Sequence, residues 1–213
     1  MKNKPNEWIS ISDLMSGVMA VVMLLLVMSV LQKTYAELKH KQLMEQGIEA
    51  QQKKISSMLT ELKKSISNQG ANDLVAFNIA EARITLKDNV FEKGSACITP
   101  LAIAALQSIE DKITEHVKSN SNNVVFVEGH TDNIPVSVPV TNHEKYCTVY
   151  DDNFTLSSAR AREARKILVA NLTQPYANQV IVAGYGDSRP IEGISPENPL
   201  NRRIEIQFLI SKN

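Results

Sequence analysis

Residues 124–133 read VVFVEGHTDN, four apolar residues running into Glu128-Gly129-His130-Thr131-Asp132-Asn133. The run from Val124 to Val127 has the composition of a short buried strand, and the Gly, Thr, Asp and Asn after it supply a turn at its end. The flanking sequence alternates between two periodicities. Upstream, ARITL at 82–86 reads as a strand, and Thr99-Pro100 as a helix N-cap with proline in the first helical position. Leu101, Ala105, Ile109 and Ile113 then keep helical spacing over 101–117. Downstream, 156–172 reads as a helix with a basic outer face (Arg160, Arg162, Arg165, Lys166), and 180–183 as a third strand. The stretch 204–210 alternates Ile204, Ile206 and Phe208 inward with Glu205 and Gln207 outward. A β-α-β-α-β-β order predicts an α/β (α+β) domain, a mixed sheet with helices on one face. The stretch 71–213 is long enough to bury about two-thirds of its extended surface and form one core.

Composition narrows the function classes. The chain has 213 residues, with 23 Lys+Arg against 23 Asp+Glu and a formal net charge of zero. A nucleic-acid binder that tracks phosphates needs a basic excess, so that class is excluded. With 43% hydrophobic and 22% charged residues, neither a disordered nor a collagen-like chain fits. His40, His116, His130 and His143 show no metal-ligand spacing with each other or with the cysteines, so no metal is expected. Neither a Gly-rich phosphate loop nor a nucleophile–base pair is present, so neither an enzyme nor a cofactor is expected.

The amino-terminal part reads differently. Residues 14–31, LMSGVMAVVMLLLVMSVL, carry no charge and contain four of the seven methionines. As a helix this run is about 27 Å long, close to the hydrocarbon thickness of a bilayer. With Ile9 and Ile11 the span becomes 9–31, preceded by a tail at 1–8 whose Trp8 sits where an interfacial aromatic would anchor it. A signal peptide is the alternative, but its apolar region is shorter and ends in a small-residue cleavage pattern. The lysines on both sides (Lys2, Lys4; Lys33, Lys39, Lys41) give no orientation; a short tail and a long globular remainder suggest the amino terminus inside.

Asp13 lies within this apolar stretch. A carboxylate at the centre of a membrane helix costs about 2.5–3.5 kcal/mol, and less near the edge. It shares an i, i+3, i+4, i+7 face with Ser16, Gly17 and Ala20, a small and polar face suited to packing against other helices. Two readings follow: an ion-translocating acid enclosed by neighbouring helices, or an interfacial acid favoured by the helix dipole. Beyond the span, 32–70 is rich in Lys, Glu, Gln and Leu. There Ile48, Ile55 and Leu62 repeat every seven residues, with Met44 and Met58 at the companion position. That pattern fits a short parallel coiled coil or a solvated helical tether, ended by Ser67-Asn68-Gln69-Gly70.

Four groups of residues carry a resemblance: the 128–133 turn followed by Leu156-Ser157-Ser158-Ala159-Arg160; Asn201-Arg202-Arg203-Ile204-Glu205-Ile206; Phe91 with Gly94-Ser95-Ala96; and Gly184-Tyr185-Gly186. In order and spacing 82–210 resembles the OmpA-like peptidoglycan-binding domain. That resemblance implies that Asp132 and Arg160 grip the zwitterionic end of diaminopimelate in the cell-wall peptide, with Asn153 in support. A carboxylate suits the ammonium and a guanidinium suits the carboxylate, and a helix N-terminus near Ser157 would favour the anion. The alternative for Asp132 and Arg160 is a salt bridge that closes the pocket. Two departures stand out: a longer separation between Asp132 and Arg160, filled by NIPVSVPVTNHEKYCTVYDD, and Glu197-Asn198 where the family shows Gly-Arg. Cys97 and Cys147, an even pair in an outer domain, predict a disulfide that staples this insert, with two free buried thiols as the alternative.

A short tail, one span with an early aspartate, a helical stalk and an OmpA-like domain together resemble MotB-type stator subunits. Within that class Trp8-Ile9-Ser10-Ile11-Ser12-Asp13-Leu14-Met15-Ser16-Gly17 looks most like the ZorB-type subunits of the Zorya anti-phage defence system. The resemblance implies a single-pass inner-membrane protein with its outer domain in the periplasm. It further implies a dimer inside a ring of multi-span ZorA (MotA-like) partners, ion flow through Asp13, a grip on peptidoglycan, and indirect signalling to cytoplasmic effectors. A flagellar stator subunit and a passive membrane-to-wall tether are the rival readings.

Overall fold

The computed structural model describes residues 7–120 and 122–209; Lys2, Lys4 and residue 210 of the expected last strand lie outside them. The chain divides into two compact units, Met1–Gly47 and Ile48–Asn213. Helix α1 (Glu7–Asn68) has residues in both.

In the first unit α1 is exposed along the whole apolar run, including Leu14, Met19, Leu24 and Leu31. It is the one helix among the described residues long and apolar enough to cross a membrane, with a window of mean hydropathy 2.6. Ser16 Oγ donates to the Ser12 carbonyl at 2.8 Å, which satisfies the hydroxyl within the helix and leaves the Asp13 face small. No atom beyond the helix backbone lies within 4 Å of a side chain built at Gly17, so that face is open to a close neighbour.

The second unit is built on a five-stranded sheet in the order β1-β2-β5-β3-β4. The strands are β1 (Val75–Asn78), β2 (Arg83–Lys87), β3 (Val124–His130), β4 (Val180–Gly184) and β5 (Arg203–Leu209). All neighbours are antiparallel except β3 and β4, which run parallel. That parallel pair requires a crossover, supplied by α4 (Asn153–Leu168). The expected mixed sheet is present, with β1 added as a hairpin partner of β2 at the edge. Val75-Ala76-Phe77-Asn78 is too short to show a period by itself, and only its pairing with β2 makes it a strand.

Alternation along β3 and β5 sorts the two faces. Val125, Val127, Ile204, Ile206 and Phe208 are buried together with Leu106, Ile109 and Ile113 of α2 (Pro100–Ser119) and Ala161, Ala164 and Leu168 of α4. Thr99 occupies the N-cap position of α2 as expected, with proline next, but its side chain makes no capping bond. α4 begins three residues earlier than its apolar spacing suggests. The reason is a capping box: Thr155 N–H donates to Asp152 Oδ1 at 2.6 Å, and Asp152 N–H donates to Thr155 Oγ1 at 3.3 Å. The bond from Thr155 N–H, with a second from Thr155 Oγ1 to the same Asp152 Oδ1 at 2.7 Å, holds the Asp152 carboxyl below the usual carboxylate range.

The seven-residue spacing in the last part of α1 marks a buried stripe. Ile55, Met58, Leu59, Leu62 and Ile66 all belong to the core of the second unit. Glu61 pairs with Lys112 of α2 at 3.1 Å, and Gln69 donates to Ser108 at 2.9 Å. The periodicity thus specifies a buried face without specifying what buries it, and here α2 and the rest of the domain cover it. Replacing Leu59 or Ile66, both fully buried, by alanine should lower unfolding stability by about 3 kcal/mol. Chemical denaturation of the whole chain measures this, and an unchanged midpoint would separate residues 48–68 from the domain core.

Candidate functional site

The sheet and α4 meet through glycine. A Cβ on Gly129 would fall on the Ser157 backbone, and one on Gly184 on the Ser158 hydroxyl and backbone. Only glycine therefore lets the ends of β3 and β4 approach the first turns of α4 this closely. Gly186 N–H then donates to Ser157 Oγ at 2.9 Å, and Thr131 N–H to the Gly186 carbonyl at 2.8 Å. β3 itself runs to His130, past the expected end at Val127, because Glu128, Gly129 and His130 pair with Glu205, Ile204 and Arg203 of β5. The turn carrying Asp132 starts after it.

Asn153, the first residue of α4, holds that turn by donating to the carbonyls of Asp132 at 3.1 Å and Ile134 at 3.0 Å. Asp132 is 5% exposed and Arg160 3%. They do not bond to each other. Asp132 Oδ2 accepts from Arg202 Nη1 at 2.6 Å, and Arg202 Nε donates to Asp88 Oδ2 at 2.9 Å. Asp88 Oδ1 accepts from Arg160 Nη1 at 3.0 Å, and Arg160 Nε donates to the Ser95 carbonyl at 2.9 Å. The Arg160 guanidinium also lies over the Phe91 ring, 5.1 Å from its centroid. The closing salt bridge between Asp132 and Arg160 is thus replaced by a four-membered chain of charges.

Two aspartates and two arginines leave this chain formally neutral. Burial works to lower the pKa of Arg160, opposed by Asp88. Burial also pulls on Arg202, but its hydrogen bonds to Asp132 and Asp88 outweigh it and raise the pKa. Both guanidiniums stay charged. Among the described residues no donor reaches Asp132 Oδ1 and no acceptor reaches Arg160 Nη2. Arg202 Nη2 is likewise without an acceptor among them, so one anionic acceptor and two cationic donors are left over, and an acceptor set beside a donor of opposite charge is the complement of an α-amino acid zwitterion.

Arg202 lay inside a motif visible in the sequence, but nothing singled it out from Arg203. Asp88 carried no signal at all, since it follows β2 in a 3₁₀ turn (Asp88–Val90) and lies 72 residues from its partner Arg160. Ser157 sits within α4, and the first turn begins at Asn153. Asn201 is fully buried: it accepts from Ile191 N–H at 2.8 Å and donates to the Ser195 carbonyl at 2.9 Å, which fixes the loop leading into Arg202. Asn198, in one of the departures, accepts from Leu200 N–H at 2.9 Å and caps the short turn that follows it, Pro199–Asn201.

The 133–152 insert folds onto itself. Val140 and Tyr150 exchange backbone bonds at 2.8 and 2.9 Å, and a single helical turn, α3 (His143–Tyr146), lies between them. Cys97 and Cys147 form the expected disulfide, with Cα atoms 5.1 Å apart.

Ligand atoms of Glu128, His130 and Glu205 lie within 4.8 Å of one another. Of these, Glu205 is held by Arg203 at 2.6 Å and Arg83 at 2.9 Å, and Glu128 accepts from Tyr185 Oη at 3.3 Å. These arginines hold the Glu205 carboxyl low against the burial that would raise it. The His130 ring stacks on Tyr185, 5.4 Å between centroids.

A model of the OmpA family matches residues 90–203. The chain belongs to the OmpA family. The match takes in Asp132, Asn153, Arg160 and Arg202, and starts just after Asp88. Among solved structures, a putative MotB like protein from Desulfovibrio vulgaris is 19% identical, covering 78% of this chain and 98% of its own, with a TM-score of 0.58. The cell wall anchor of the T6SS from Pseudomonas aeruginosa is 24% identical over 70% of this chain and 97% of its own, with a TM-score of 0.53. The periplasmic domain of Helicobacter pylori MotB is 23% identical over 59% of this chain and 72% of its own, with a TM-score of 0.45. For the first two, at these identities, the likeness is one of fold. A search of curated proteins finds no match.

Burial pushes His130 down to about 4, with Arg203 adding to the effect, and burial with Lys54 does the same to His116. The unfolded chain protonates both first, from the ordinary histidine value of about 6.5, so stability falls as pH drops from there towards 4. Each histidine can withdraw up to about 3 kcal/mol over that window, at about 1.4 kcal/mol per pKa unit. Urea unfolding at pH 7 and pH 5 measures the slope, and exchange of both histidines for glutamine should flatten it.

Proposed function

We propose that this chain is an ion-conducting stator subunit of an inner-membrane complex, gripping peptidoglycan through Asp132, Asn153 and Arg160. The observation that carries the reading is one chain holding both an acid in an apolar helix and a neutral pair of opposite poles in an OmpA-family domain. Asp132 Oδ1 takes the ammonium of a diaminopimelate end and Arg160 Nη2 takes its carboxylate, while Arg202 and Asp88 hold both groups in place. The organisation is a tail at 1–8, a span at 9–31, a helical linker within 32–70 and the wall-binding domain to 213. The amino terminus is cytoplasmic and the domain periplasmic.

The finer assignment is a ZorB-type subunit of a Zorya anti-phage system. Supporting it, the span reads Ser12-Asp13-Leu14-Met15-Ser16-Gly17, and residues 14–31 contain no aromatic. In this reading a dimer of the chain stands inside a ring of ZorA-type, MotA-like subunits. Asp13 alternates between protonated and ionised forms as partner helices pass it, and the motion signals to cytoplasmic effectors. The wall grip keeps the dimer from turning, so that ion flow becomes relative motion.

Asp13→Asn should assemble with its partner but abolish ion flux and phage protection, measured by plating efficiency. Full protection in that variant reduces the protein to a tether. Asp132→Ala and Arg160→Ala should each weaken co-sedimentation with purified sacculi at least tenfold, as expected for losing a charged hydrogen bond of about 1.5–3 kcal/mol. Undiminished sedimentation would place the wall contact elsewhere.

A further inference from the structure

Arg160 can read a carboxylate only if its guanidinium plane is fixed, because the fork is rigid but its stem is long and flexible. Two of its three nitrogens are held, by Asp88 and by the Ser95 carbonyl. The second anchor is a backbone group in a loop, residues 94–97, and the 133–152 insert fastens that loop at several points. Tyr150 Oη donates to the Gly94 carbonyl at 2.6 Å. Ser95 Oγ donates to the Tyr146 carbonyl at 3.0 Å, and Ala96 N–H donates to the same carbonyl at 3.0 Å. Ser95 Oγ also accepts from Cys97 N–H at 2.9 Å, and Cys97 is joined to Cys147. Arg162 of α4 donates to the Cys147 carbonyl at 3.2 Å, which ties the far side of the insert to the helix that carries Arg160. Ser95 is 1% exposed, so the anchor is shut away from water.

We propose that the insert is a specificity device: fastened by the Cys97–Cys147 disulfide and Tyr150, it fixes the Ser95 carbonyl and thereby aims Arg160 Nη2 at the carboxylate of the ligand. Ser95 and Tyr150 are positioning residues, acting through Arg160 and not on the ligand. Without the insert's grip, the 94–97 loop loses the bonds that hold it to residues 146–150. Nε of Arg160 then loses a fixed partner, and the guanidinium is free to turn about its contact with Asp88. The ligand-facing nitrogen is still present but no longer pre-aimed, which costs discrimination. A neutral amide in place of the carboxylate gains little from an aimed guanidinium, so its binding is insensitive to the clamp.

This rests on the wall-binding reading, and the test separates the two. The whole chain in detergent is titrated with two synthetic cell-wall stem peptides. One ends in diaminopimelate with its free carboxylate, and the other carries that carboxylate as the amide. The wild type should prefer the acid at least tenfold. Tyr150→Phe, which removes one hydroxyl, and the double Cys97→Ser, Cys147→Ser variant should each cut that preference at least threefold while leaving affinity for the amide unchanged. Retention of the full preference in Tyr150→Phe overturns the inference, and so do equal losses for both peptides, which mark general loosening of the domain. Should the double variant not fold, Tyr150→Phe decides alone. Arg160→Ala tests the underlying reading: if it still prefers the acid as the wild type does, the site itself is misassigned, whatever the clamp variants show.

Discussion

Asp132, Arg202, Asp88 and Arg160 form a line of alternating charges at the end of the sheet, and the rest of the domain is arranged around keeping that line intact. Asp132 and Arg160 could not be buried alone, since an unpaired ion in the interior costs several kcal/mol, and the half-buried Arg202 and Asp88 supply their partners. Each is supplied by a different part of the chain: the turn after β3, the residue just before β5, the turn after β2, and α4. Glycine at 129 and 184 brings the sheet and α4 close enough for the line to close. Asn153 and Asn201 hold the two loops that deliver Asp132 and Arg202.

Sequence alone went a long way here, for a physical reason. β3, β4 and β5 and helices α2 and α4 each have one apolar face whose period survives in the sequence, and the turn chemistry of Gly, Thr and Asp marks the site. What escaped was set by tertiary pairing. β1 is a strand because β2 is beside it, and β3 continues through Gly129 and His130 because β5 offers partners there. Asp88 and Arg202 were invisible as site residues for the same reason: a charge in a turn carries no mark of which distant charge will meet it. Asp132 and Arg160 stand out in the sequence as charged residues of one motif, but their indirect connection through Arg202 and Asp88 does not.

The carboxy-terminal part of α1 makes a related point about periodicity. Ile55 and Leu62 repeat every seven residues, a spacing that fits a helix seam between two chains as well as a helix laid on a globular core. In this fold they enter the same core as Ile109 and Ile206. The carboxy-terminal stretch of α1 is therefore core of its own unit, Ile48–Asn213.

The position of β5 has a consequence for how such a domain matures. Last of the elements along the chain, it lies between β2 and β3, so before it arrives the sheet exists only as two separate pairs, β1-β2 and β3-β4. Arg202 immediately precedes it and bridges Asp88 from the first pair to Asp132 from the second. Closing the sheet and assembling the charge line are thus a single event. A nascent chain still short of its final strand has no charge line, and whatever depends on that line waits on the completed fold.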